Sequence, residues 1–120
     1  MKHNEGFLAL VNDAKSRVRE TDIQGYREMA EKAILVDVRE DREWAEGHAT
    51  GAVHLSKGII ERDIEKTIPD KEALIVLYCG GGFRSALVAD NLRKMGYGNA
   101  VSLDGGWRAW NEAGLPVEKP

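Results

Sequence analysis

The chain has 120 residues, 42% of them hydrophobic, with a formal charge of −3 and a pI near 5.6. That is the size of one globular domain with one core, and the acidic balance gives no electrostatic reason to expect nucleic acid or an anionic membrane surface. No apolar stretch approaches the ~18–20 residues of a membrane span, the short apolar run after Phe7 has no signal-peptide cleavage site, and the single cysteine excludes an internal disulfide and suits a reducing, cytoplasmic setting.

Helical and strand-like segments alternate along the chain. Phe7, Leu8, Leu10, Val11, Ala14 and Val18 recur at helical spacing, and Lys15, Arg17 and Arg19 follow where cations suit the dipole. Glu20 closes a short strand, and Thr21 or Asp22 caps a second helix running to about Glu31. Ala33 to Val38 is a β-branched apolar run, the profile of a strand covered on both faces. Asp41 to Glu46 forms a short helix ended by Gly47, and Ala52 to Leu55 a brief strand. Gly58 to Lys66 reads as a helix and Leu74 to Tyr78 as a strand. After Ser85, Ala86 to Met95 has amphipathic helical spacing, with Gly96 as its stop. Ala100 to Leu103 is a last strand, followed by Gly105-Gly106 and a short helix holding Trp107 and Trp110. This alternation predicts one parallel, doubly wound α/β sheet, which binds ligands beyond the carboxyl ends of its strands.

The one cysteine falls at such an end. Cys79 follows the run Ile75-Val76-Leu77-Tyr78 and precedes Gly80-Gly81-Gly82-Phe83-Arg84-Ser85. A strand opening into a loop that feeds a helix N-terminus lets backbone N–H groups converge on one anion, a thiolate or a sulfur bound to one.

Four segments in order make the chain resemble a single-domain rhodanese, from about Glu20 to Pro116. They are Val36-Asp37-Val38-Arg39-Glu40 with Glu43-Trp44; Gly47-His48-Ala49-Thr50-Gly51-Ala52; Cys79 to Ser85, matching Cys-x-x-Gly-x-Arg-Ser; and Leu103-Asp104-Gly105-Gly106-Trp107-Arg108-Ala109-Trp110. The resemblance implies a three-layer α/β fold, with a central, mainly parallel sheet of about five strands and helices on both faces. It divides the chain into a helical extension, 1–19, and a domain, 20–120.

It also implies a sulfurtransferase. Cys79 takes a sulfane sulfur from a donor, holds it as a persulfide and passes it to a thiophilic acceptor, with neither metal nor organic cofactor. Donor and acceptor are small molecules (thiosulfate, a persulfide, cyanide or a thiol) or a partner protein, and the chain acts as a monomer or homodimer without nucleic acid or membrane. The thiolate is the nucleophile, so the Cys79 pKa must be lowered. No adjacent histidine serves as base, which leaves the loop amides, Arg84 and the Ser85 hydroxyl as its stabilisers. Gly80, Gly81 and Gly82 are expected to let the backbone curl without a Cβ in the way, and with Phe83, Arg84 and Ser85 they form the substrate-binding loop. Asp37 and Arg39, near the loop in the family, support it. His48 and His54 are expected to stabilise turns, Trp44, Trp107 and Trp110 to pack, and Asp104-Gly105-Gly106 to turn beside the site.

Two departures from the family pattern stand out. Thiosulfate-using members often carry basic residues just after the cysteine, where this chain has Gly80 and Gly81, so a thiol persulfide or partner protein is as plausible a donor. Ala49-Thr50 replaces Ile-Pro and alters local packing. Three rival readings share the loop: a phosphatase or arsenate reductase, a thiol–disulfide oxidoreductase, and a binding-only module. Only four residues separate Cys79 from Arg84, one fewer than in oxyanion loops, and no resolving cysteine exists. A binding-only module would not need the cysteine at all.

Overall fold

The computed structural model describes residues 3–120. In chain order they form α1 (Glu5–Lys15), β1 (Arg19–Thr21), α2 (Ile23–Met29), β2 (Ile34–Asp37), α3 (Asp41–Glu46), β3 (His48–Ala49), β4 (Val53–His54), α4 (Ile60–Thr67), β5 (Ile75–Tyr78), α5 (Phe83–Lys94), β6 (Ala100–Leu103), α6 (Gly106–Glu112) and β7 (Val117–Glu118). The main sheet has the order β1-β6-β5-β2-β4, and every pairing in it is parallel. Residues 34–37 lie in register with 75–78, and 75–77 with 100–102.

The central strands are apolar throughout because both faces of the sheet are covered. Side chains alternate between two cores. Val36, Ile75, Leu77 and Cys79 pack with Ile60, Ile64, Val88 and Leu92 beneath α4 and α5. Leu35, Val76, Tyr78 and Val101 pack with Tyr26 and Trp110 beneath α2 and α6. Ile75, Leu77 and Leu92 are wholly buried, and cutting such a side chain to alanine costs about 2–5 kcal/mol. Outside these layers α1 lies along α5 through its buried Val11 and Ala14. The Arg17 guanidinium donates twice to Asp90, Nε to Oδ1 at 3.1 Å and Nη2 to Oδ2 at 2.8 Å. These bonds, with help from Arg93, hold the Asp90 carboxyl below the usual carboxylate range.

The structure differs from the sequence-based expectation in two places. Helix α5 starts at Phe83, three residues before the expected Ala86. Gly82 has a φ of +106°, which turns the chain sharply enough for the helix to begin at once and draws Arg84 and Ser85 into its first turn. The other end of α5 follows expectation. Gly96 has a φ of +102°, its N–H donates to Arg93 O at 3.1 Å and that of Tyr97 to Leu92 O at 3.0 Å, closing a Schellman motif.

The second difference is a small antiparallel sheet, β3 with β7, in which 48 pairs with 118 and 49 with 117. Pairs of two residues leave no periodic trace in a sequence. The returning C-terminal segment is also fixed at Pro116, whose carbonyl accepts from Trp110 Nε1 at 2.9 Å and Thr50 N at 3.1 Å. Among the described residues no helix is long and apolar enough to cross a membrane.

Candidate active site

Cys79 follows the last residue of β5, the central strand, and its side chain is 1% exposed. The amide N–H of Gly82 donates to Sγ at 3.2 Å and that of Ser85 at 3.4 Å, and the Ser85 hydroxyl lies 3.6 Å away. The amides face the sulfur because the loop's carbonyls are held elsewhere. Trp107 N–H donates to Cys79 O at 2.7 Å, Arg108 N–H to Gly80 O at 3.1 Å and Gly105 N–H to Gly81 O at 3.2 Å. The chain entering α6 thus grips three successive carbonyls, and the amides of Gly81 and Gly82, on the peptide planes so held, face the thiol. The two backbones can approach this closely only without a side chain: a Cβ on Gly106, whose φ is +47°, would collide with the Cys79 carbonyl. The turn expected at Asp104-Gly105-Gly106 is therefore half of the sulfur cradle.

Burial alone would push the Cys79 thiol up. The Ser85 N–H, the Ser85 hydroxyl and the amides of Gly82 and Gly81 outweigh it, and the net shift is downward. A thiolate only accepts hydrogen bonds, so the Ser85 hydroxyl must donate to it. Its oxygen can then accept from the buried Ser102 hydroxyl of β6, 2.8 Å away. No motif or spacing singles out Ser102.

Around this cradle lie two arginine–carboxylate pairs. Arg84 Nη1 and Nη2 donate to Glu43 Oε1 and Oε2 at 2.7 and 3.0 Å. Glu43 also accepts from Glu40 N in the capping box of α3, and Arg84 above all holds its carboxyl down at about 2. Asp37 and Arg39 form the other pair, both buried, joined by Nη2–Oδ2 at 2.8 Å and by Nε. Asp37 further accepts from Tyr78 Oη at 2.6 Å, and Arg39 Nη2 donates to Gly47 O at 2.7 Å. Arg39 stacks 4.5 Å from the centre of the Trp107 ring. The pair therefore braces the residue before Cys79 and one of the residues gripping it.

The histidines are local fasteners. His48 meets Trp44 O through Nδ1 at 3.0 Å, and His54 meets Arg39 O through Nε2 at 2.9 Å. Trp44 stacks with both rings, at 3.4 and 4.7 Å between centres. Trp110 is buried in the core beneath α2 and α6.

The glycine triplet needs correcting. Only Gly82 has a positive φ, so the backbone does not demand glycine at 80 or 81. A Cβ there would press instead on Arg84 Nη2 at 3.2 Å or Arg108 Nη2 at 3.4 Å. The two glycines leave room above the thiol. That room is a cavity of about 530 Å³ into which Cys79, Phe83, Arg84 and Arg108 face, with His3 and Phe7 from the N-terminal segment. Arg108, His3 and Phe7 were not legible as site residues, because no spacing signals which helix closes over a loop. A second cleft, of about 520 Å³, is lined by Glu40, Asp41, Arg42, Ser56, Lys57 and Arg84, and Cys79 does not face it. Among the described residues no group of three His, Cys, Asp or Glu side chains could hold a metal ion.

A thiol at the carboxyl end of a central parallel strand, acidified by amides with no histidine beside it, is what a rhodanese-type cysteine loop requires. The chain belongs to the rhodanese-like domain family, whose model matches residues 22–113. It is 38% identical over 81 residues to a thiosulfate sulfurtransferase GlpE of Pseudomonas entomophila, covering 68% of this chain and 72% of that one. Among solved structures, a Rhodopseudomonas palustris protein of unknown function, described as a "possible tyrosine phosphatase", has a TM-score of 0.84 at 28% identity, covering 98% of both chains. The polysulfide-sulfur transferase homodimer of Wolinella succinogenes has a TM-score of 0.79 at 28% identity, covering 96% of this chain and 88% of that one.

Proposed function

We propose that the chain moves a sulfane sulfur from a donor to a thiophilic acceptor through a persulfide on Cys79. That it is a sulfurtransferase rests on its family and on relatives bearing that name. The observation that carries the mechanism is the amide-lined Sγ, whose pKa is lowered in spite of burial. In the first half-reaction the Cys79 thiolate attacks the outer sulfur of the donor. The S–S bond breaks and its electron pair leaves on sulfite, when the donor is thiosulfate, or on a thiolate, when it is a persulfide. The persulfide formed keeps the outer sulfur near the Gly81, Gly82 and Ser85 amides. In the second half-reaction an acceptor such as cyanide or a thiol takes that sulfur and the Cys79 thiolate returns, which gives ping-pong kinetics.

Arg84 and Ser85 stabilise the anion, Gly80 to Phe83 frame it, and Asp37 and Arg39 position the loop through Tyr78. A working group that must stay a free thiol suits a reducing compartment such as the cytoplasm. The phosphatase description attached to the Rhodopseudomonas structure meets an obstacle here: the Glu43 carboxylate already pairs with the Arg84 guanidinium that would clasp an oxyanion.

The test is intact-mass measurement after mixing with a sulfur donor. A gain of one sulfur (~32 Da) that an added thiol removes, and that Cys79→Ser abolishes, is the expected half-reaction of a covalent intermediate. Turnover of p-nitrophenyl phosphate that depends on Cys79 would overturn the reading.

A further inference from the structure

We propose that α1 and the residues before it form the outer wall of a donor pocket over Cys79, and that this pocket takes an organic persulfide bearing a carboxylate. The inference rests on the sulfurtransferase reading and adds the donor class and the residues that select it. The wall lies outside the part of the chain that the family model covers, 22–113.

Three observations carry it. The first is the chemistry of the wall, which is aromatic. The His3 ring lies 4.7 Å from Phe83 and 5.5 Å from Phe7, centre to centre, and Phe7 lies 6.3 Å from Phe83. Such rings contact carbon and sulfur well and offer a bare inorganic dianion little. The second is anchorage. The bidentate Arg17–Asp90 bonds and the buried Val11 and Ala14 fix α1 on α5, and Lys15 Nζ sits 4.9 Å above the Phe83 ring. The wall is thereby held to the same helix whose first turn holds the sulfur.

The third is charge. Two guanidiniums reach the cavity, and Arg84 is already paired with the Glu43 carboxylate through Nη1 and Nη2. Arg108 is exposed and makes no ion pair among the described residues, so of the two it is the guanidinium without a carboxylate partner. One free guanidinium beside aromatic rings suits a carboxylate on an organic body. A cavity of about 530 Å³ also falls within the range of small-molecule sites and far exceeds the need of a small inorganic ion. In the reaction, Cys79 thiolate attacks the terminal sulfur of R–S–SH, the S–S bond breaks, and R–S⁻ leaves with the bonding pair. The proton stays on the transferred sulfur, and no oxidant or reductant is consumed.

The experiment uses the full chain and three probes: glutathione persulfide, hydroxyethyl persulfide and thiosulfate. Quenched-flow mass spectrometry reads the rate constant for adding one sulfur to Cys79. In the unaltered protein glutathione persulfide is expected to react faster than thiosulfate. Phe7→Ala should lower the ratio of organic-persulfide to thiosulfate rate constants about tenfold, the worth of one aromatic contact. Arg108→Ala should erase most of the preference for glutathione persulfide over the carboxylate-free hydroxyethyl probe, again about tenfold. Should Phe7→Ala not fold, Phe7→Leu keeps the helix packed while removing the ring, and the same ratio is read. Variants that slow all three donors equally, or leave both ratios unchanged while Cys79 is persulfidated, would overturn the donor pocket and spare the sulfurtransferase reading. Failure of every probe to add sulfur to Cys79 would overturn both.

Discussion

Two arginine–carboxylate pairs meet near the cysteine loop, and they are built for different tasks. Arg39 and Asp37 are 3% and 0% exposed, are bonded through three side-chain contacts, and take in Tyr78 and the Gly47 carbonyl. Arg84 and Glu43 are 30% and 27% exposed and bonded mainly to each other. Burial pulls against the Arg39 charge, and the Asp37 bonds more than compensate, so its pKa ends up raised. A charge in that position has no alternative to its partner. Arg84 could turn to solvent at small cost. On the function proposed above, the difference separates scaffold from tuning: the inner pair braces the loop, and the outer pair adjusts the field the thiol feels.

The largest effect should come from breaking the inner pair. Asp37→Ala leaves Arg39 buried without a counter-charge and should cost about 3–5 kcal/mol in urea unfolding. Loss of less than ~1 kcal/mol would place this pair with the outer one.

Next in size is the Ser85→Ala exchange, which removes the hydroxyl from the ring around the thiolate. The inflection in the pH profile of Cys79 alkylation should move up, since a bond that favours the anion is lost.

Glu43→Gln should move the same inflection down, because it deletes a negative charge beside the Arg84 that interacts with Cys79. Its cost in stability should stay under ~1 kcal/mol, as for other part-exposed pairs. Opposite signs for these two exchanges would establish the outer pair as a tuning device, and equal signs would break that assignment.

The smallest effect concerns acid. Glu43 titrates near 2 in the folded chain, below its ordinary value of 4.5. A depressed carboxylate contributes its full stability above the unfolded value and loses it as pH falls through the folded one. The stability difference between the unaltered chain and Glu43→Gln should therefore hold constant down to about pH 4.5 and vanish toward about 2. A difference that fades between pH 7 and 5 would mean that another group governs it.

Much of this is legible in the sequence, for local reasons. The apolar runs of β2 and β5, Cys79 at the end of one of them, and Gly96 as a helix stop each carry their signal within a few residues. What escaped the sequence depends on distant parts of the chain meeting. Ser102 looks like any strand serine until β6 lies beside β5. Arg108 is one of many exposed arginines until α6 grips the loop. Phe7 belongs to a helix whose existence the spacing shows but whose resting place on α5 it does not, and His3 lies just before that helix. The glycines at 80 and 81 misled for another reason: glycine serves backbone conformation and bare space alike, and only Gly82 uses the former.

The grip of residues 105–108 on the Cys79, Gly80 and Gly81 carbonyls also fixes a sequence of events. During synthesis the chain emerges from its N-terminal end, so β5 and α5 leave the ribosome before their clasp does. Until that clasp arrives, the loop peptides are free to rotate and the thiol remains an ordinary, weakly acidic one. The setting that lowers the Cys79 pKa is therefore completed only once residues 105–108 have been made and have closed on the loop.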